Sequence, residues 1–199
     1  MSQPSNPHIV TRSQDPDPER RDFIFIAAAS MGAVGAGVAV WPFLASLGPA
    51  ADTLALSTTE VDLSKVEQGQ AITVIWRGKP VFIRNRTAQD IEAAEAVDKN
   101  ASEFNSLRDQ ETDAQRTKQS AFGGKQLPNW LIMVGVCTHL GCIPMGQKPT
   151  DMKGDFGGWF CPCHGSNYDT AGRIRKGPAP KNLVIPPYAF LSETRIRIG

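Results

Sequence analysis

The longest apolar stretch of the 199-residue chain covers residues 23–47 and contains no charged side chain. At a rise of about 1.5 Å per residue, a helix of this length is long enough to cross a hydrocarbon core of about 30 Å. We therefore predict a single transmembrane helix over residues 23–45. Gly32, Gly35, Ala36 and Gly37 would let a neighbouring membrane helix approach it closely.

The charges beside this stretch predict its orientation. Arg20 and Arg21 directly precede it, whereas the first Lys or Arg that follows it is Lys65. Because Lys and Arg are enriched in cytoplasmic flanks, we expect the N-terminus to be cytoplasmic. Residues 20–23, Arg-Arg-Asp-Phe, resemble a twin-arginine export signal. A cleaved signal peptide is the alternative, but no Ala-x-Ala site follows the apolar stretch, which favours a retained anchor.

The segments on either side of the predicted helix show no regular pattern. Residues 1–22 form a predicted cytoplasmic tail, and its first 19 residues have the polar, Pro-rich composition of disordered chains. Residues 46–59 are mostly small and are predicted to be a flexible tether. If about seven of them changed from a rise of about 1.5 Å to about 3.4 Å each, the attached domain would move by more than about 10 Å. A passive spacer is the alternative.

Residues 60–199 show the short apolar runs of an antiparallel β domain. A hairpin is predicted from a strand over residues 71–76, a turn and a strand over residues 80–84. An apolar run covers residues 130–136, and further strands are predicted at residues 183–185, 188–191 and 194–198. A segment of helical composition interrupts this pattern, which predicts a helical insertion at about residues 88–118.

Charge and composition narrow the possible partners. The chain has 21 Lys and Arg against 20 Asp and Glu, and these charges are spread along it. The sequence therefore shows no basic region of the kind that binds nucleic acid.

The cysteines and histidines are concentrated along the chain. All four cysteines and two of the three histidines fall in two short segments, residues 137–142 (Cys-Thr-His-Leu-Gly-Cys) and 161–166 (Cys-Pro-Cys-His-Gly-Ser). His8 lies apart in the polar N-terminal segment.

These two segments carry the ligand types of a metal centre. Two thiolates and two imidazoles suit an iron-sulfur cluster in which the thiolates hold one iron and the imidazoles the other. A structural zinc site with two Cys and two His, the other cysteines being bridged or free, is the first alternative. A dithiol redox site is the second, and it is disfavoured because one residue separates Cys161 from Cys163 where thioredoxin-like motifs have two.

The segments resemble, without a substituted position, the two boxes of Rieske iron-sulfur proteins from quinol-oxidising cytochrome bc complexes, C-T-H-x-G-C and C-P-C-H-G-S. This resemblance implies one Rieske-type [2Fe-2S] cluster with four ligands: Cys137, His139, Cys161 and His164. It also implies a disulfide between Cys142 and Cys163, which fits an oxidising compartment. The implied fold is mostly β, with one transmembrane helix and an antiparallel β-sandwich head domain whose cluster-binding subdomain covers about residues 128–180.

The resemblance assigns roles to residues around the cluster as well. Hydroxyl groups of Ser166 and Tyr168 would donate to the cluster and to a cysteinyl sulfur, and would raise the reduction potential. Leu140 would make an apolar contact at the tip of the domain. Residues 177–180, Gly-Pro-Ala-Pro, resemble a loop that covers the cluster from a third side.

The resemblance implies electron transfer in a membrane quinol:cytochrome c oxidoreductase of the bc1 type. This chain would be a catalytic subunit of that complex. His164 would contact ubiquinol at cytochrome b, and movement of the head domain would bring the electron to cytochrome c1. The complex would be a dimer in a bacterial inner membrane, with the head domain in the periplasm. A membrane-anchored Rieske electron-carrier module of another periplasmic oxidoreductase is the alternative.

Overall fold

The computed structural model describes residues 19–48 and 57–199, with side chains from Arg21 onward. Most of the predicted tail and most of the predicted tether therefore lie outside the described residues. The chain divides into two compact units, residues 1–50 and 51–199, which are described separately.

The first unit contains one long helix, α1 (Glu19–Ser46). It covers the predicted span and extends beyond it at both ends. Its 28 residues give a length of about 42 Å, and the mean hydropathy of its most apolar window is 2.1. Trp41 and Phe43 are 71% and 73% exposed in the chain. Helix α1 is therefore long and apolar enough to cross a membrane.

Two three-stranded antiparallel sheets form a sandwich in the second unit. One has the order β1 (Thr59–Asp62), β11 (Arg195–Ile198), β10 (Tyr188–Ser192), and the other the order β2 (Ala71–Trp76), β3 (Lys79–Asn85), β6 (Trp130–Val134). The predicted hairpin is confirmed, since Trp76 pairs with Lys79 across a two-residue turn. Apolar side chains from both sheets share one core, including Ile83, Ile132 and Ile196, all 0% exposed.

Strands β3 and β6 are buried on both faces because their alternate residues belong to two different cores. Ile132 packs in the sandwich core, whereas Leu131 and Met133 belong to a second core. A third antiparallel sheet, β7 (Gly157–Cys161), β8 (Ser166–Asp169) and β9 (Ile174–Lys176), covers that second face. Cys137 and Cys161 are members of the second core, so each box begins at a residue that is packed between these two sheets.

The insertion between β3 and β6 is helical. It contains α2 (Ala88–Lys99), α3 (Ala101–Asn105) and α4 (Asp113–Arg116), followed by a short hairpin of β4 (Ala121–Phe122) and β5 (Lys125–Gln126). Thr87 and Thr112 begin α2 and α4 with capping boxes, in which each threonine accepts from a backbone N–H one turn later. The boundaries of these helices are therefore encoded by local side chains.

Buried arginines join the insertion to the sheets. Arg173 is fully buried and pairs with Asp169 at the end of β8 and with Asp98 on α2. Arg86 donates to Asp113 at 2.6 Å, again between buried groups. Breaking such a pair leaves an uncompensated buried charge, so the insertion is held firmly against the domain.

One predicted strand is wrong. Residues 183–185 form no strand, although Leu183 is 0% exposed and Val184 O accepts from Val134 N at 2.7 Å. Pro186 and Pro187 follow, and proline has no N–H to continue a ladder. The sequence analysis also missed the short strands β7, β8 and β9, whose residues alternate only weakly.

Candidate metal centre

The first box, residues 137–142, forms a closed loop after β6. The N–H of Gly141 donates to the carbonyl of Cys137 at 3.0 Å, and the N–H of Cys137 donates to the carbonyl of Cys142 at 2.7 Å. Gly141 has a φ of +84°, a conformation that favours glycine. The box therefore needs its glycine to turn the chain back.

The second box, residues 161–166, is the turn between β7 and β8. Here the N–H of Gly165 donates to the carbonyl of Cys161 at 3.0 Å, with a φ of +75° at the glycine. In each box the glycine thus closes a turn on the cysteine four residues earlier. This shared geometry presents the histidine of each box, His139 and His164, from a similar loop.

A disulfide between Cys142 and Cys163 joins the two loops, with their Cα atoms 6.8 Å apart. This pairing, implied by the resemblance, is confirmed. The Sγ atoms of Cys142, Cys161 and Cys163 lie within 4.8 Å of one another, but two of the three are consumed in the disulfide. Cys137 and Cys161 are free, and each is 2% exposed.

The two histidines of the boxes lie side by side. Their ring centroids are 4.7 Å apart and the rings are nearly perpendicular, at 89°. Nδ1 of His139 is buried and has no hydrogen-bond partner among the described residues. Leaving a buried polar atom unpaired costs about 1–3 kcal/mol, so this nitrogen is suited to a ligand. His164 is exposed, whereas His139 is half-buried.

These side chains fit a [2Fe-2S] cluster with mixed ligation. Two free buried thiols and two adjacent imidazoles supply the required donors, and the unpaired Nδ1 of His139 lacks a partner that iron would provide. Burial raises the pKa of the Cys161 thiol. A bound cation would favour the thiolate and so offset that effect.

Tyr168 lies where the resemblance predicts a sulfur contact. Its hydroxyl donates to Sγ of Cys137 at 3.2 Å, and the side chain is 0% exposed. Burial and the neighbouring Cys137 raise the pKa of Tyr168 well above its ordinary value. The phenol therefore stays protonated and keeps its proton available to the sulfur.

Ser166 is also buried, at 1% exposure. Its Oγ accepts from the N–H of Ala179 at 3.2 Å. Because a hydroxyl is both donor and acceptor, this contact leaves its own proton free for another acceptor.

The 177–180 loop packs directly on the second box. A Cβ on Gly177, whose φ is +100°, would lie 2.6 Å from the carbonyl oxygen of Gly165 and from Cα of Ser166. Only glycine permits so close an approach. Ala179 is 0% exposed.

Leu140 is 71% exposed at the tip of the first box, beside Ile143 at 59%. The predicted apolar contact of Leu140 is therefore not made inside the described part of the chain.

Two contacts near the site could not be predicted from the sequence. Thr138 Oγ1 donates to the carbonyl of Lys181 at 2.6 Å, and Arg108 reaches the 177–180 loop. Neither contact has a local sequence signal, because each joins segments more than 40 residues apart.

Comparisons with known proteins agree with this geometry. A family model described as "Rieske [2Fe-2S] domain" matches residues 95–189, and one described as "Ubiquitinol-cytochrome C reductase Fe-S subunit TAT signal" matches residues 10–50. The chain is 60% identical over 180 residues to the "Ubiquinol-cytochrome c reductase iron-sulfur subunit" of Rhodospirillum rubrum, covering 90% of this chain and 91% of the relative. It is 51% identical over 196 residues to the protein of the same name from Rhodobacter capsulatus, covering 96% and 100%.

A solved structure titled "Hyperthermophilic respiratory Complex III" is also similar, with 27% identity and a TM-score of 0.45 over 87% of this chain and 98% of that one. This TM-score is too low to support an argument, so the assignment of the chain to a family rests on the sequence relatives alone.

Proposed function

The chain belongs to the Rieske iron-sulfur subunits of ubiquinol-cytochrome c reductase, and we propose that it carries one electron from ubiquinol at cytochrome b to cytochrome c1. It is a membrane-anchored subunit with a Rieske [2Fe-2S] domain. The observation that carries the proposal is that two loops joined by a disulfide supply two free buried cysteines and two adjacent histidines.

The proposed ligands are Cys137 and Cys161 for one iron and His139 and His164 for the other. When bound, the cluster supplies a one-electron acceptor and donor. The disulfide limits how far the two loops can separate, and so keeps the four donors together. The hydroxyl of Tyr168 donates to Sγ of Cys137, which favours negative charge on that sulfur.

His164 is the proposed catalytic residue. Its ring is exposed, so the nitrogen that does not bind iron can accept a hydrogen bond from the quinol hydroxyl. With the cluster bound, it would take the proton of that hydroxyl as the quinol gives up one electron to the cluster. Leu140, which follows His139 in the first box, and Ile143 are exposed apolar side chains of a kind suited to a quinol site. In this role the chain is a catalytic subunit.

In the proposed topology, helix α1 crosses the bacterial inner membrane. The N-terminus lies in the cytoplasm and the head domain, residues 60–199, lies in the periplasm. Arg20 and Arg21 before helix α1 support this orientation, and the disulfide suits an oxidising compartment. The tether over residues 46–59 would allow the head domain to move between cytochrome b and cytochrome c1, within a dimeric complex. Residues 1–22 would form the cytoplasmic tail.

Purification of the native membrane complex tests the proposal. We expect iron and acid-labile sulfide in equal amounts, a Rieske-type electron paramagnetic resonance spectrum after reduction, and co-purification with b- and c-type cytochromes. Inhibitors of the quinol site should block cytochrome c reduction. Zinc without sulfide would overturn the proposal. A Rieske spectrum without cytochrome b would instead support the electron-carrier alternative.

A further inference from the structure

Arg108 lies between α3 and α4, far from both boxes in sequence. Its Nη1 donates to the carbonyl oxygen of Gly177 at 2.8 Å and also to that of Ala179. One guanidinium nitrogen of the helical insertion therefore holds both ends of a three-residue stretch in the 177–180 loop.

The neighbouring residue strengthens this attachment. Asp109 Oδ2 accepts from the N–H of Asn182 at 2.9 Å, and the Asn182 side chain donates to the carbonyl of Asp109 at 3.1 Å. Asn182 is 3% exposed. The insertion thus contacts the 177–180 loop and the residues that follow it at several points.

The 177–180 loop has little means of fixing itself. Pro178 and Pro180 carry no N–H, so the loop cannot form a regular ladder of backbone hydrogen bonds. Its carbonyl oxygens instead accept from a cation, and charge-assisted hydrogen bonds are stronger than neutral ones. The exposed side chain of Arg108 is the only charged donor to these two oxygens among the described residues.

The loop in turn sets the orientation of a hydroxyl in the second box. The N–H of Ala179 occupies a lone pair of Ser166 Oγ, and this restricts the directions in which the Ser166 proton can point. If the loop moves, the hydroxyl is free to rotate.

From this chain of contacts we infer that Arg108 is a positioning residue of the cluster site. It holds the 177–180 loop so that Ala179 N–H fixes the Ser166 hydroxyl as a donor toward the cluster. The inference rests on the proposed function for the presence of the cluster, but the contact between Arg108 and the loop does not require it.

Arg108→Gln in the full-length protein of the native complex is the test, with Lys181→Gln as the matched control. Lys181 is an exposed cation beside the same loop, and only its backbone takes part in the contacts described here. Both variants remove one positive charge, but only the first removes the donor. Amide hydrogen exchange of the peptide over residues 177–182 should rise by about tenfold in Arg108→Gln, as expected for loss of one strong hydrogen bond, and should not change in Lys181→Gln.

The midpoint potential provides the second readout. Arg108→Gln should lower it more than Lys181→Gln does. In a Ser166→Ala background the two variants should give equal shifts, because Arg108 then has no hydroxyl to orient. Arg108→Lys keeps the charge but not the guanidinium geometry, so it should raise exchange above that of the unmodified protein by less than tenfold, and it carries the exchange test if the Gln variant does not assemble.

The inference would be overturned if Arg108→Gln shifted the potential equally with Ser166 present and in the Ser166→Ala background, and left amide exchange of residues 177–182 unchanged. Arg108 would then act only through its charge. Absence of a cluster in the unmodified protein would instead refute the proposed function. The exchange measurement would still report on the loop in that case, so the two failures are distinguishable.

Discussion

At the scale of single residues, the site depends on a few buried polar atoms. Tyr168 donates to Cys137, Ser166 accepts from Ala179, and Nδ1 of His139 has no protein partner among the described residues. Each of these atoms is more sensitive to substitution than an exposed one, because water cannot replace a lost partner.

Tyr168→Phe should lower the midpoint potential by about 40 mV, which corresponds to loss of a hydrogen bond that is about 1 kcal/mol stronger in the reduced than in the oxidised state of a one-electron couple. The cluster should remain assembled, because the ring still fills the same buried space. Redox titration followed by electron paramagnetic resonance measures both properties. An unchanged potential would refute the donor role of the hydroxyl.

His164→Ala should abolish the assembled cluster together with quinol oxidation, because one iron loses a ligand. The control is His8→Ala, which changes the histidine outside both boxes and should leave the spectrum intact. Survival of a Rieske-type spectrum in His164→Ala would show that the ligand assignment is wrong.

At the scale of elements, the two boxes are short loops at the ends of strands, and a covalent bond joins them. Strand β6 leads into the first box, and β7 and β8 border the second. Besides the turns closed by Gly141 and Gly165, the first box has a bond from the N–H of Cys137 to the carbonyl of Cys142, and among the described residues no backbone hydrogen bond joins one box to the other. The disulfide between Cys142 and Cys163 therefore fixes their separation.

Replacing both cysteines of the disulfide with alanine should destabilise the domain by about 3 kcal/mol, the loop-closure contribution for a separation of 21 residues. Loss of the cluster signal on heating should then occur at a lower temperature than in the unmodified protein. Visible circular dichroism during a thermal scan measures this change. An unchanged transition would show that strand packing alone holds the boxes together.

Arg173→Ala should destabilise the protein by about 3–5 kcal/mol, because Asp169 would remain buried without its close partner, with Arg175 only at 3.6 Å. Lys99→Ala is a suitable control, since the Lys99–Glu95 pair is exposed, with side-chain exposures of 75% and 48%. Chemical denaturation of the two variants gives the comparison. Equal losses would contradict the argument from burial.

At the scale of the whole molecule, an apolar helix and a β domain with its own cores are separate compact units. Both hydrophobic cores of the β domain consist of residues from Leu63 onward. A fragment of residues 57–199 should therefore fold, bind the cluster and give the same spectrum as the full chain. It should not support quinol oxidation in membranes that lack the full-length subunit. A colourless fragment would show that the membrane unit is needed for assembly.

The sequence alone determined the long apolar helix, the dominance of β structure and the clustering of thiol and imidazole side chains in two boxes. Continuous apolarity and the residue types of the boxes are local properties, so they are visible without a fold. The hairpin of β2 and β3 was predictable for the same reason, since its residues are adjacent. The Cys142–Cys163 disulfide was available only from the family resemblance, because four cysteines allow several pairings.

The tertiary structure decided which distant groups meet. Arg108 and Ala179 are 71 residues apart, and Arg173 contacts Asp98 across 75 residues. Residues 183–185 have the composition of a strand, yet Pro186 and Pro187 and the packing of Leu183 leave them as a loop. Contacts of this kind join segments that are distant along the chain, so they exist only when the sheets and the helical insertion have packed together. The division of the β3 and β6 side chains between two cores arises in the same way.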